Sequence, residues 1–315
     1  MVELPRPLWW LVLNLLILNT RPKRSAAAYK KIWTAQGSPL MLHSLAQQKG
    51  LESILNSDWN GQVKLSLAMR YGQPSIASGL RSLAAEGVDR VLILPAYPQY
   101  SATTTASIFD EVAHELSSWR NQPELRFIKT YHDNTAYIAA LANSIRRYWQ
   151  SNDEPDMLVM SFHGIPQAYF EAGDPYYCYC QKTARLLAES LQLDPCRYRV
   201  TFQSRLGPKK WLEPYTDKTL SELANQGVAN VHVICPGFSV DCLETLEEVA
   251  MENRDVFLSS GGSSYGYIPC LNDSTEHLQV LNQLIKQQLT HWVEEPADDS
   301  TLEMRRSRAA SLGKS

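Results

Sequence analysis

Apolar and polar positions along the chain fall into two rhythms. Short apolar runs at Val63–Met69, Arg90–Pro95, Leu125–Thr130, Met157–Phe162, Tyr198–Phe202 and Val231–Cys235 predict strands. Between them, helical spacing predicts amphipathic helices over Ser75–Glu86, Ala106–Trp119, Ala136–Trp149, Lys182–Leu191, Lys218–Gln226 and Glu276–Leu289. Apolar strands alternating with such helices predict an α/β fold with parallel sheets and crossover helices.

The pattern also repeats. LRSLAAEGVDRVLILPAYPQYS, from Leu80 to Ser101, lies over LSELANQGVANVHVICPGFSVD, from Leu220 to Asp241. Each copy is a helix, a Gly stop, a buried strand, then Pro and an aromatic residue. Two similar Rossmann-like halves facing a cleft follow, with expected boundaries of 1–140 and 141–293. Residues 294–315, polar and rich in small side chains, are expected to be a disordered tail. The first half shows no strand before its helix near Leu45–Leu55. Either Leu11–Leu18 serves as that strand, or the strand lies upstream of Met1.

Composition narrows the class. The 315 residues are 44% hydrophobic and 20% charged, with a formal net charge of −3. That balance fits a globular chain and gives no nucleic-acid footprint. Six unevenly spaced cysteines do not read as a secreted disulfide framework, so the cytoplasm is the expected location. The apolar run Leu8–Leu18 is too short to span a bilayer. It is either a packing helix or an apolar lip facing a lipophilic ligand or membrane surface. Trp9 and Trp10, with Arg21, Lys23 and Arg24 beyond, suit an interfacial element.

Candidate chemistry gathers after the strands. His163, in SFHGIP, ends an apolar run and is followed by Gly164 and Pro166. It is either a satisfied core histidine or a proton acceptor and metal ligand. In DCLETLEEVAMENR, Asp241 and Glu244 have capping-box spacing. Glu244, Glu248 and Glu252 share one helical face, where each like-charge pair costs roughly 0.2–0.5 kcal/mol. A solvated acidic face tolerates that cost; a ladder that hands a cation inward or protons outward uses it. One imidazole plus one carboxylate makes a weak, open metal site, unlike a filled structural one. Ser38, Tyr97 and Tyr100, and the stretch Arg205, Lys209, Lys210 and Trp211, add donors and cations at an apolar cleft. Cys178 and Cys180, with Cys196, Cys235, Cys242 and Cys270, lack a strong cluster spacing and read as small thiols.

The ordered motifs LPRPLWW, RPKRSAAAYKKIW, QGSPL, LPAYPQYSATTTAS, SFHGIP, GDPYYCYC, TFQSRLGPKKWLEPYTD and CPGFSVDCLETLEEVA resemble the ferrochelatases. The resemblance runs from about Val2 to about Leu289. It implies a chelatase-like fold and the insertion of ferrous iron, the substrate metal, into protoporphyrin IX to make protoheme. It implies that His163 and Glu244 are the catalytic and metal-site pair. Glu248 and Glu252 become a proton or metal relay, and Trp9, Ser38 and Tyr97 line the porphyrin pocket. Peripheral contact with a membrane is an implied partner interaction.

The family pattern opens with a strand ending in an N-L-G-T-P-like loop, and Met1 stands where that strand has already passed. Ala102 takes the place of the first cysteine of an animal-type iron–sulfur cluster, so no such cluster is expected. Two alternatives stay open: a truncated, non-catalytic tetrapyrrole-binding protein, and a chelatase for another metal or tetrapyrrole.

Overall fold

A central strand of MLVMSFH has apolar residues facing both ways, so it needs cover on both faces. In the computed structural model, which describes residues 18–290, 292 and 299–313, it has that cover. This strand, β3 (Met157–His163), is flanked by β4 (Tyr198–Gln203) and β5 (Asn230–Ile234), and β6 (Ser264–Ile268) completes the sheet. The order is β4-β3-β5-β6, all parallel. Alternate side chains of β3 enter different cores. Leu158, Met160 and Phe162 pack with Tyr137, Ile145, Leu187 and Phe202 on one face. Met157 and Val159 pack with Leu220, Val231, Val233 and Phe257 on the other. Burying a side chain such as Phe162 stabilises the fold by roughly 1.5–3 kcal/mol.

In the first half, β1 (Arg90–Ile93) pairs in parallel with β2 (Glu124–Phe127). Val91 packs there with Ile76 and Leu80 of the preceding helix and Val112 and Leu116 of the following one. Val63–Met69 forms no strand. Apart from an isolated bridge between Met69 and Ser75, it has no pairing partner among the described residues, and a strand exists only as one member of a pair. The run Leu11–Leu18 lies outside the described residues except for Leu18, which begins a helix reaching Ile32. Trp9, Trp10 and the LPRPLWW lip also lie outside them.

The repeat is physical. Gly87 (φ 79°) and Gly227 (φ 89°) both end a helix in the left-handed region. Gly87 donates its N–H to Ala84 at 3.0 Å and Gly227 to Ala224 at 3.0 Å. Upstream of each helix stands a cis proline, Pro74 and Pro214, followed by a single bridge. The helix Thr135–Ser151 spans the boundary expected at residue 140, and its buried face belongs to the core against β3. The helix Pro39–Trp59 ties the halves together: Leu51 and Leu55 pack against Leu281, Ile285 and Leu289 of the helix Thr275–Leu289. The tail, expected to be disordered, carries a helix over Asp299–Ser311, and the side chains described in it are exposed.

β6 was not legible as a strand. SSYGYIPC mixes glycine and polar residues with aromatics, as an edge strand does when only one side is paired.

Candidate functional site

The site forms where the strands of the larger sheet end, as open parallel sheets dictate. His163 closes β3 and stands opposite Gln203, the last residue of β4. The two ends approach closely because Gly164 follows. Its N–H donates to the Gln203 carbonyl at 2.8 Å, and a Cβ placed there would lie 2.9 Å from that same oxygen.

His163 is half-buried. Its Nδ1 lies 2.7 Å from the Gly164 carbonyl oxygen. A carbonyl can only accept, so Nδ1 carries a proton, and whenever the ring holds only that one, Nε2 offers a lone pair. Among the described residues Nε2 has no hydrogen-bond partner. The Phe238 ring stands 6.4 Å away, beyond β5.

After β5 the chain turns into a π-helix, Glu244–Glu252. Its i→i+5 winding is wider than an α-helix, and such segments concentrate at functional sites. The sequence places the three glutamates on one face of an ordinary helix; they lie instead on this wider one. Exposure rises along the line: Glu244 and Glu248 are half-buried and Glu252 is exposed. The capping box does not form. Asp241 is buried, and its oxygens accept from the Tyr267 hydroxyl, from Thr245 Oγ1 at 3.1 Å and from Asn272 Nδ2 at 2.7 Å. It braces the entrance to the helix from inside.

Burial pushes the Glu248 carboxyl above its ordinary value. Opposing that, the Ser204 N–H donates to Oε1 at 2.7 Å and the Ser204 hydroxyl donates to Oε2. The charges of His163 and Glu244 also act on Glu248, the first lowering and the second raising it. These three groups therefore share one electrostatic neighbourhood, although two different strands deliver them. The Cys242 thiol donates to Glu244 Oε2 at 3.1 Å. Gln203 Nε2 donates to the Glu244 main-chain oxygen at 3.1 Å, while Ser161 Oγ donates to Gln203 Oε1 at 2.6 Å.

Tyr97 borders the same space. Its hydroxyl is raised by burial, then by Cys242, Tyr71 and Glu244. Tyr29, on the helix Leu18–Ile32, is raised by burial, then by Glu244 and Cys242. Ser38 N-caps the helix Pro39–Trp59, accepting from Met41 N at 3.3 Å, and its own hydroxyl proton has no acceptor among the described residues. Arg205, one of the cations the sequence offered near the cleft, is committed to an ion pair. Both its terminal nitrogens donate to Asp217, at 2.6 and 2.7 Å, and it stacks over Tyr215.

Sequence reasoning missed Tyr29, Cys242, Gln203 and Ser204. Gln203 and Ser204 were findable as the polar pair directly after an apolar strand. Nothing in the sequence pointed to Tyr29, which comes from the distant first helix.

All six cysteines are free thiols. Among the described residues no three His, Cys, Asp or Glu side chains converge as a metal-binding group.

Comparison with known proteins narrows the class first. SirB from Bacillus subtilis, solved with Fe3+, superposes with a TM-score of 0.53 at 12% identity, covering 76% of this chain and 88% of that one. The sirohydrochlorin chelatase SirB with cobalt gives 0.50 at 11%. These likenesses define the fold alone, that of a chelatase. The ferrochelatase family model matches residues 1–289. The ferrochelatase of Teredinibacter turnerae is 50% identical over 310 residues, 98% of this chain and 85% of that protein. Ferrochelatase 2 of Shewanella oneidensis is 51% identical over 285 residues, 90% and 87%. The chain belongs to the ferrochelatase family.

Proposed function

We propose that this chain inserts ferrous iron into protoporphyrin IX, forming protoheme and releasing two protons. The observation that carries the reading is the shared neighbourhood of His163, Glu244 and Glu248, supplied by β3 and by the π-helix after β5.

A porphyrin must lose two pyrrole protons as the metal enters, and the protein's task is to orient the ring and receive those protons. With Nδ1–H fixed on Gly164, Nε2 of His163 accepts one of them. Glu244 meets the metal as a ligand or takes the second proton. Glu248 and Glu252 then lead from the half-buried end of the line to the exposed end. Two donors hold the cation loosely, as an enzyme that surrenders its metal requires. Ser38 and Tyr97, with Trp9 from the lip, line the ring's pocket in this reading.

Trp33, Leu40 and Leu45 are exposed around the Ser38 turn and supply an apolar rim for a lipophilic substrate. The rim also supports peripheral contact with a membrane from a cytoplasmic location. Among the described residues no helix is long and apolar enough to cross one. No iron–sulfur cluster is part of the proposal. The six cysteines show none of the spacings that gather four thiolates on a cluster.

The test is to incubate the purified chain with protoporphyrin IX and either anaerobic ferrous iron or zinc, and to follow the metalloporphyrin spectrum. Turnover by the wild type and its loss in His163→Ala, with an unchanged thermal transition, is the expected result. Porphyrin binding without metallation favours the non-catalytic alternative. Metallation only of another tetrapyrrole favours the related chelatase.

A further inference from the structure

Four non-glycine residues in the described chain hold a left-handed φ: Asn60, Gln192, Ser204 and Asn272. Asn60 and Gln192 terminate helices, where that conformation is routine, and asparagine tolerates it generally. Ser204 differs. It follows β4 directly, at φ 64°, and closes no helix.

The conformation turns both donors of Ser204, its N–H and its hydroxyl, toward one carboxylate, that of Glu248. Each Glu248 oxygen thereby accepts one bond and keeps lone-pair capacity for a second partner. The neighbouring Gln203 acts in the same direction, holding the main chain of Glu244. The end of β4 thus grips the π-helix at Glu244 and Glu248, two residues of the proposed site.

We infer that Ser204 is a positioning residue for metal insertion, holding the Glu248 carboxylate at one angle so that a proton leaving His163 meets an oxygen already in place. The inference rests on the site proposed above. Ser204 touches neither metal nor porphyrin in this role; it acts through Glu248.

Glycine separates this role from a structural one. Ser204→Gly keeps the N–H and adopts φ 64° without steric cost, which offsets much of the stability lost with the hydroxyl bond, so a cooperative thermal transition close to the wild type's is expected. Its kcat for zinc insertion into protoporphyrin IX is expected to fall by about tenfold or more, with KM within about twofold, as loss of a hydrogen bond to a charged group implies. On a Glu248→Gln background the same change is expected to have little further effect on kcat. Ser204→Asn, which tolerates the left-handed region and retains a side-chain donor, is expected to keep more activity than Ser204→Gly. An unaltered kcat in Ser204→Gly, or an equal loss in both backgrounds, overturns the inference. A wild-type chain that does not metallate porphyrin overturns the site assignment itself, and the inference with it.

Discussion

The thiol of Cys242 donates to the carboxylate of Glu244 across 3.1 Å, two residues apart at the mouth of the π-helix. The Cys242 N–H is itself held by Thr245 Oγ1 at 2.9 Å, so the turn that carries the thiol is fixed. A thiol is a weak donor, worth about 1 kcal/mol here, or roughly fivefold in rate. Cys242→Ala is expected to lower kcat by that factor, and Cys242→Ser, which retains a donor, to stay closer to wild type. Steady-state zinc insertion checks it; equal rates for all three chains would show that the contact has no influence on Glu244.

Glu248 gives a pH signature. Burial holds its carboxyl above the ordinary value of 4.5, against the two Ser204 bonds and His163. The folded chain therefore keeps this proton to a higher pH than the unfolded chain does. In the window just above 4.5 the folded state binds more protons, so this group's contribution to stability declines as pH rises. Glu248→Gln removes that slope. Denaturant unfolding of both chains between about pH 4 and 6 measures the difference, and parallel curves would contradict it.

Three buried histidines act with the opposite sign. Burial lowers His132, His232 and His277 below their ordinary 6.5, with Asp133 opposing at His132 and the bond to Asn272 opposing at His277. Each therefore stays neutral to a lower pH in the fold than in the unfolded chain. As pH falls through 6.5 the unfolded chain gains protons first, so stability is lost below that value. A thermal transition that drops between pH 7 and pH 5.5, and drops less in His277→Gln, is the expected outcome.

Gly164 is a packing constraint with a functional reading. Alanine there would place a methyl 2.9 Å from the Gln203 carbonyl and 3.2 Å from the Trp211 ring. The backbone oxygen cannot move aside cheaply, so Gly164→Ala is expected to cost roughly 1–3 kcal/mol. It also disturbs the carbonyl that fixes His163 Nδ1. A lowered thermal transition together with lowered kcat is expected; a change in neither would mean the strand ends are free to separate.

Much of this was legible in the sequence because burial writes itself as periodicity. β3, β4 and β5 and six helices followed from apolar spacing, and the duplicated helix–Gly–strand unit was visible in Leu80–Ser101 and Leu220–Asp241. Val63–Met69 failed because apolar alternation says a segment is half-buried, not that a partner strand lies beside it. The acidic line was legible as spacing, but its π winding was not, since side-chain order does not encode the extra residue per hydrogen bond. Asp241 misled because the residue type that caps a helix also satisfies a buried tyrosine and asparagine. Tyr29 and Ser204 were hidden for a third reason: their importance comes from tertiary proximity to Glu244 and Glu248.

The wide winding of Glu244–Glu252 has a genetic corollary. Surface loops absorb the gain or loss of a codon with little consequence. Here a single deletion would either shift the register of the side chains beyond it or force the segment toward ordinary helical pitch, and both re-aim the acidic line. Glu248 and Glu252 would then point away from the imidazole although no acidic residue had been lost. Length, more than composition, is what this stretch cannot vary.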